Sequence, residues 1–211
     1  VEDLAFGAAA VRDLDLFHPW PIVAEQAVEI AQRCEAAALE VDRRITNSDG
    51  AGVSVQQSHF IMANSRGFRG GYASSRHSLS VAPIASLPGK GGDDMQRDAW
   101  YTSMRSPDDM AVGRYAAERA LSRLRSRKIA TAEVPVLFES TVAAGLLGSL
   151  VQAVSGGALY RKSSFLLDSL GKQVLAPHLD VHENPHIPRG KGSSPFDDEG
   201  VRTRPRTVVD G

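Results

Sequence analysis

The feature that most constrains the fold is a long stretch in which apolar residues alternate with polar ones. Val53 and Val55 have polar neighbours, Phe60 and Met62 repeat the pattern, and residues 72–85 continue it. A period of two places successive side chains on opposite faces of a strand. The stretch therefore predicts strands of an antiparallel sheet with one buried and one solvated face.

Three shorter segments extend this prediction. Residues 47–50 are rich in turn formers and predict a turn before the first strand. Residues 95–102 carry Trp100 and Tyr101 and predict one further strand. Residues 133–138 predict a short buried strand, in which Pro135 favours a position at the edge or the start.

Amphipathic helices are predicted before and after this sheet. Over residues 24–45 the apolar positions recur at intervals of three and four, and they are mostly alanine with Cys34 among them. Cys34 is interpreted as a small buried residue. A second helix begins with Ser106 as N-cap, Pro107 and two aspartates, and it buries Val112, Ala116, Ala120 and Leu124. Helices with an antiparallel or mixed sheet predict an α+β fold.

A third helix is predicted over residues 141–154, which are apolar nearly all round. Such a helix is expected to be buried on several sides. Gly145 and Gly148 would allow a close backbone approach by a neighbouring element or by a bound extended peptide, which makes both glycines candidates for lining a peptide channel. The segment is too short to span a bilayer, so no membrane partner is expected.

Charge and cysteine content narrow the class of protein. Lysine and arginine total 24 against 25 aspartate and glutamate, so no basic excess indicates nucleic acid. A single cysteine cannot form an internal disulfide, which favours a cytoplasmic location. The sequence starts without Met and ends in a hairpin-turn dipeptide after the strand-like residues 206–209. We therefore expect a piece of a longer polypeptide, with the pairing strand beyond the end.

Two clusters of side chains are candidate metal sites. His182, Glu183 and His186 satisfy the HExxH expression of zinc proteases, but Pro185 disfavours the helix that this chemistry needs. A loop-borne zinc site formed by these three residues and His178 is the alternative. Asp197, Asp198 and Glu199 form an acidic turn, which is interpreted as a solvated turn and alternatively as a Ca²⁺ or Mg²⁺ site.

Residues 65–78 are rich in arginine and serine and include Arg66, Arg69, Arg76 and His77. A nucleic-acid interface is one interpretation of this patch. Polar residues on the exposed face of a sheet are the commoner explanation, and nucleic acid is not the expected partner.

Five separated runs resemble one family in the same order. They are LDLFHPW at 14–20, RITNSDG at 44–50, SRHSL at 75–79, YRKSSFLLDSLG at 160–171 and PFDDEGVRT at 195–203. Together they resemble the PmbA/TldE-type branch of the TldD/PmbA (modulator of gyrase) metallopeptidase family. The resemblance implies an N-terminal α+β domain over 1–130 and the start of a mixed-sheet, barrel-like domain over 131–211. It also implies a cytoplasmic complex with a TldD-like subunit that degrades unfolded peptides.

In TldD-type members of that family the zinc helix reads HExxxH and is followed by a glycine-rich run. The similar stretch here is 139–149, which places Glu139, Ser140 and Ala144 at the first histidine, the general base and the second histidine. The resemblance thus implies a non-catalytic subunit that binds no cofactor, with zinc in its TldD-like partner. The alternatives are a zinc peptidase that uses the 182–186 loop, and a gyrase-linked or nucleic-acid-binding regulator.

Overall fold

The computed structural model describes residues 12–89, 92–102 and 109–210. The chain forms two compact units, one of Val1–Lys128 with His186–Thr203 and one of Ile129–Pro185 with Arg204–Gly211. Residues 186–203 therefore belong to the first unit, although they follow most of the second unit in sequence. The predicted division into domains of 1–130 and 131–211 stays a prediction.

The first unit is built around a long antiparallel hairpin. Helix α1 (Ala24–Leu39) precedes strands β1 (Ile45–Ala63) and β2 (Arg69–Leu87), which pair from Ile45 opposite Ala85 to Ala63 opposite Arg69. Strands β3 (Asp94–Arg97) and β4 (Trp100–Thr102) both pair with the other side of β2. The sheet order places β2 in the centre and β1 at an edge. The antiparallel sheet that the alternation predicts is confirmed.

Two details of the sheet differ from the sequence prediction. Residues 47–50 lie inside β1, where the pairing register shifts between Ser48 and Ala51 and Gly50 has a φ of 111°. The turn-forming residues therefore make a bulge, which bends a strand without ending it. Residues 95–102 form parts of two strands because the chain leaves the sheet between Arg97 and Trp100.

Helix α1 and helix α2 (Asp109–Ser122) cover one face of the sheet. The residues buried between these helices and the sheet fall in two clusters, Cys34 with Leu79, Val81, Val112 and Ala116, and Ala38 with Ile45, Ala85, Ala117 and Ala120. The predicted stripe is correct at Cys34 and Ala38 of α1 and at Val112, Ala116 and Ala120 of α2, whereas Leu124 lies beyond the end of α2 and is only partly buried. Helix α1 ends at Leu39, and Ile45 begins β1 instead of ending the helix. The predicted cap at Ser106 and Pro107 lies outside the described residues.

A glycine sets the distance between these helices. A Cβ atom built on Gly113 would lie 2.0 Å from the backbone carbonyl oxygen of Cys34. No side chain fits at that distance, so the alanine-rich stripe of α1 lies directly against the backbone of α2. Small residues on both helices make this close contact possible.

The far end of the hairpin is closed by an aromatic cluster. Phe68 and Phe196 are fully buried against each other with ring centroids 5.0 Å apart. Phe60, Met62 and Tyr72 pack against this pair. Gly200 has a φ of 78° and lies so close to Phe68 that a Cβ would approach its ring within 2.7 Å. Residues 186–203 therefore complete the core of the first unit.

The second unit contains helix α3 (Ser140–Ala153), helix α4 (Gly156–Tyr160) and strands β5 (Val181–Glu183) and β6 (Arg206–Val209). Strands β5 and β6 pair with each other in an antiparallel manner. Residues 206–209 therefore have a partner strand within the chain, and a further pairing strand after residue 211 stays a prediction. Among the residues described for this unit the strands form a two-stranded sheet and no closed barrel.

Two further predictions for the second unit need correction. Residues 133–138 form no strand, and Leu137 is 98% exposed. Helix α3 forms as predicted, but Val142, Leu146 and Val151 are each about half exposed instead of buried. No helix in the part of the chain that the structure describes is long and apolar enough to cross a membrane. The α+β class itself is confirmed.

Candidate functional site

The start of α3 carries the three positions at which the family resemblance places the catalytic groups. Glu139 is the N-cap residue, Ser140 opens the helix, and Ala144 follows one turn later. All three residues are exposed. Ala144 has no donor atom for a metal, and the hydroxyl of Ser140 is not a carboxylate base. Two of the three positions therefore carry neither a zinc ligand nor a carboxylate base.

Open space adjoins the two glycines of α3. A Cβ atom built on Gly145 or on Gly148 would meet no atom within 4 Å. Within the described residues, neither glycine is used for close packing against another element. Space of this kind is compatible with the predicted channel for an extended peptide, which stays a prediction.

The HExxH segment is a strand followed by an irregular stretch. His182 Nδ1 lies 3.1 Å from the Thr207 hydroxyl, and Glu183 forms an ion pair with Arg206. Adjacent residues on a strand point to opposite faces, so the His182 and Glu183 side chains diverge. Both side chains already have partners on β6.

The other two histidines of the alternative zinc site, His178 and His186, lie outside this strand. His178 is exposed in the second unit, and His186 belongs to the first, where its Nε2 lies 3.0 Å from the Thr203 hydroxyl. The described residues contain no group of three or more His, Cys, Asp or Glu side chains arranged to hold a metal ion.

The acidic turn at 197–199 has a structural role. The carboxylate of Asp197 accepts hydrogen bonds from the backbone N–H groups of Glu199 and Val201, at 3.0 and 2.9 Å. The Asp197 N–H donates in turn to the Val201 carbonyl. These bonds close a tight loop that positions Phe196 and Gly200 on the ring of Phe68.

The segment from 14 to 20 is hydrogen-bonded to β2 at Ser75. The Ser75 N–H donates to the Leu16 carbonyl at 3.0 Å, and the Ser75 hydroxyl accepts from the His18 N–H at 2.8 Å. The Arg189 N–H donates to the Leu14 carbonyl. Two runs that carry the family resemblance, 14–20 and 75–79, are thus hydrogen-bonded to each other.

His77 holds the segment at 14–20 against β2. Its side chain is 8% exposed, and its Nε2 donates to the His18 carbonyl at 2.8 Å, which requires the tautomer protonated at Nε2. Its Nδ1 atom is buried without a hydrogen-bond partner. The Trp20 ring packs edge-on at 5.7 Å. Sequence reasoning missed this role, because it grouped His77 with the arginines of a surface patch.

The predicted basic patch does not form one surface. Arg76 and His77 are successive strand residues on opposite faces of the sheet, and the Arg76 guanidinium donates to the Lys191 carbonyl at 2.6 Å. Arg66 and Arg69 are exposed near the hairpin tip. The nucleic-acid interpretation depends on a contiguous positive face, and these residues do not form one.

Comparison with known proteins gives the class of protein first. Residues 17–124 match the family model of the PmbA/TldA metallopeptidase central domain, and residues 131–211 match that of the PmbA/TldA metallopeptidase C-terminal domain. The chain is therefore a metallopeptidase relative whose residues match two domains of the family. It belongs to the PmbA/TldA metallopeptidase family, which is the family that the five sequence runs resemble.

Individual relatives agree with this assignment. Metalloprotease PmbA of Escherichia coli O157:H7 is 48% identical over 212 residues, which cover 99% of this chain and 46% of that protein. A solved structure from Bacteroides thetaiotaomicron that carries the name modulator of DNA gyrase matches 98% of this chain and 47% of its own, with a TM-score of 0.87 and 26% identity. The chain spans about half the length of the curated relatives it matches.

A third match concerns the fold alone. The crystal structure of TldE from Thermococcus kodakarensis covers 92% of this chain and 47% of its own, with a TM-score of 0.65 and 17% identity. The arrangement of helices and strands is therefore shared with a TldE protein at low sequence similarity.

Proposed function

We propose that this chain is part of a non-catalytic, PmbA/TldE-like subunit of a metallopeptidase complex that processes unfolded peptides. The feature that supports the proposal is the start of α3, where the family resemblance puts Glu139, Ser140 and Ala144 at the positions of zinc ligands and base. Family membership supplies the metallopeptidase context. Residues 140–153 are helical, and on the correspondence that the resemblance implies, the groups that would bind zinc and activate water are replaced.

The proposal assigns zinc to a TldD-like partner and a supporting role to this chain. Open space beside Gly145 and Gly148 supports a role in lining the route of an extended peptide. The net charge of −1 is compatible with a protein partner, and a cytoplasmic location is part of the proposal.

Metal content and cleavage test the proposal together. The full chain is purified alone and with its TldD-like partner, and zinc and hydrolysis of an unfolded peptide are measured for both. We expect the chain alone to hold no stoichiometric zinc and to cleave nothing. We expect the complex to hold zinc and to cleave the peptide. One tightly held zinc in the chain alone, lost in the His182→Ala/His186→Ala variant, would contradict the proposal and favour the 182–186 loop.

The channel is tested in the same complex. Gly145→Leu with Gly148→Leu would fill the open space on α3, and we expect peptide cleavage to fall while complex assembly is retained. Gly156→Leu is the matched control, because a Cβ there also meets nothing within 4 Å and the residue lies outside α3. Equal cleavage by both variants would argue against a channel at these glycines.

A further inference from the structure

Basic residues are concentrated just after the end of α2. Residues 123–128 carry four basic side chains and no acidic one. Helix α2 ends at Ser122, so Arg125 and the basic residues after it lie beyond the last helical turn. Stabilisation of cations by the negative end of a helix falls off within that turn, so the helix dipole does not account for these charges. They are therefore available to an external anion.

Arg125 lies beside a second basic segment, residues 42–44. The end of β2 joins the two segments, because the Ser86 N–H donates to the Arg44 carbonyl at 2.7 Å and the next residue of β2 pairs with Asp94. The Asp94 carboxylate in turn accepts the Arg125 N–H at 2.6 Å. The result is an open depression in the surface, lined by Asp42, Arg43, Arg44, Leu87 and Arg125.

The backbone of Arg125 is held in an unusual conformation. Its φ is 60°, in the left-handed region that few residues other than glycine adopt. The Asp94 carboxylate stabilises this turn, and the Gln96 amide, which donates to it at 2.7 Å, holds the carboxylate in place. These two bonds keep the pKa of the Asp94 carboxyl below its ordinary value. Such conformations persist where surrounding contacts enforce them, and they cluster at functional sites.

Two of the guanidinium groups around the depression are not used by the chain itself. Arg44 donates to both carboxylate oxygens of Asp42, at 2.9 and 2.8 Å, so these two charges compensate each other. Within the described residues, the side chains of Arg43 and Arg125 form no hydrogen bond or ion pair. The depression therefore has an excess of positive charge and free donors.

We propose that Arg43 and Arg125 bind a phosphate group of a small polyvalent anion at this depression. A guanidinium presents its donors in a planar fork that matches the oxygens of a phosphate. A phosphate monoester carries about two negative charges and three acceptor oxygens, so two guanidinium groups can share it. A carboxylate carries a single charge and is satisfied by one arginine, as in the pair of Arg44 with Asp42.

The lining of the depression determines how much of the anion is recognised. Among the described residues, no aromatic side chain lines it, so a nucleobase would have no ring on which to stack. The phosphate is bound and its carrier is left in solvent. Inorganic pyrophosphate and a nucleoside diphosphate should therefore bind alike. The site uses neither α3 nor the 182–186 loop, so it is independent of the proposed function.

Calorimetric titration of the full chain with inorganic pyrophosphate tests the proposal. We expect binding at low ionic strength that weakens as salt is added, because exposed charges are screened. Arg43→Gln with Arg125→Gly should raise the Kd about tenfold, and glycine preserves the positive φ at position 125. Arg66→Gln with Arg69→Gly is the matched control, because it removes the same two charges near the hairpin tip. The control should change the Kd by less than about twofold.

Asp94→Ala distinguishes a built site from a diffuse positive surface. Loss of the carboxylate makes the surroundings of Arg125 more positive, so attraction by net charge alone would lower the Kd. We expect the Kd to rise about threefold instead, because the Arg125 backbone is no longer held. Thermal denaturation shows whether each variant is folded, and a folded Asp94→Ala chain that binds pyrophosphate more tightly would overturn the proposal. The variant at positions 43 and 125 changes only exposed side chains and carries the test if Asp94→Ala does not fold.

Three further outcomes overturn the proposal. Pyrophosphate does not bind, or it binds the variant at positions 43 and 125 as tightly as the control. A short polyglutamate peptide binds as tightly as pyrophosphate, which would assign the surface to an acidic protein segment. A nucleoside diphosphate binds more than about tenfold tighter than pyrophosphate, which would show that the base and not the phosphate is the group recognised.

Discussion

Arg33 and Asp109 join the two helices of the first unit through one carboxylate oxygen. Both Nε and a terminal nitrogen of the Arg33 guanidinium lie 2.8 Å from Asp109 Oδ2. The pair is asymmetric, since the Asp109 side chain is 6% exposed and that of Arg33 is 55% exposed. The Asp109 carboxylate is shielded from water and depends on the Arg33 guanidinium to compensate its charge, whereas the guanidinium remains largely hydrated.

Removing the exposed partner of this pair should cost more than neutralising the buried one. Arg33→Ala leaves a buried carboxylate unpaired, and we expect the free energy of unfolding to fall by about 2–3 kcal/mol. Asp109→Asn keeps an acceptor and leaves Arg33 in water, at a cost of about 1 kcal/mol. Urea denaturation measures both, with the exposed Arg43→Ala as control. Equal losses in the two variants would show that the burial of Asp109 does not govern the pair.

Two helical glycines should respond to alanine with opposite signs. Gly113→Ala forces a methyl group onto the Cys34 carbonyl, and we expect a loss of more than about 3 kcal/mol in unfolding free energy. Gly148→Ala meets nothing, and it should stabilise α3 by up to about 1 kcal/mol. Thermal denaturation of both variants is the measurement. A tolerated Gly113→Ala would mean that α1 and α2 can separate at low cost.

Cys34 should be unreactive in the folded chain. It is fully buried, and burial, with Asp109 and Glu35 nearby, raises the pKa of its thiol from an ordinary 9.0 to about 11. A thiol-specific chromogenic reagent at mildly alkaline pH should label it only after denaturant is added. Because the folded pKa is the higher one, this group's contribution to stability is complete below pH 9 and falls as the pH rises toward 11. Cys34→Ala should remove that alkaline dependence, and rapid labelling of the native chain would contradict the prediction.

The contact between Asp15 and Arg189 should weaken in acid. The Arg189 guanidinium holds the pKa of the Asp15 carboxyl below its ordinary value. A lowered folded pKa gives a stabilisation that is present above the unfolded pKa and lost as the pH falls through the folded one. We expect Asp15→Asn to speed amide exchange at Arg189, whose N–H bonds the Leu14 carbonyl, at neutral pH. At a pH below the carboxyl pKa the variant and the original chain should exchange alike.

The long hairpin was predictable because its pattern is local. Alternation over Val53, Val55 and residues 72–85 forces one face inward whatever the chain does elsewhere. The apolar stripes of α1 and α2 follow from spacing in the same way. The bulge at Gly50 was mistaken for a turn because both features need the same backbone conformation, a positive φ.

Pairing between distant segments was not predictable from a single sequence. Strand β6 pairs with β5, and nothing in the sequence of residues 206–209 indicates which segment pairs with them. Residues 133–138 have the apolar content of a strand and no strand beside them. The role of Phe196 in the first core depends on a return of the chain that no local pattern encodes. The helix that carries Ala144 was predictable from its apolar composition over residues 141–154, and the observed helix begins one residue earlier, at Ser140.

The aromatic cluster of Phe68 and Phe196 also sets an order of events during synthesis. Ser194 meets Tyr72 across 122 residues of chain, and the Arg76 side chain meets the Lys191 carbonyl across 115. The ribosome therefore delivers the hairpin well before the loop that closes it. During that interval the open end of the hairpin exposes the aromatic rings that Phe196 later covers. A newly made chain is thus most exposed to aggregation before residue 196 emerges, and chaperone contact is expected to concentrate in that window.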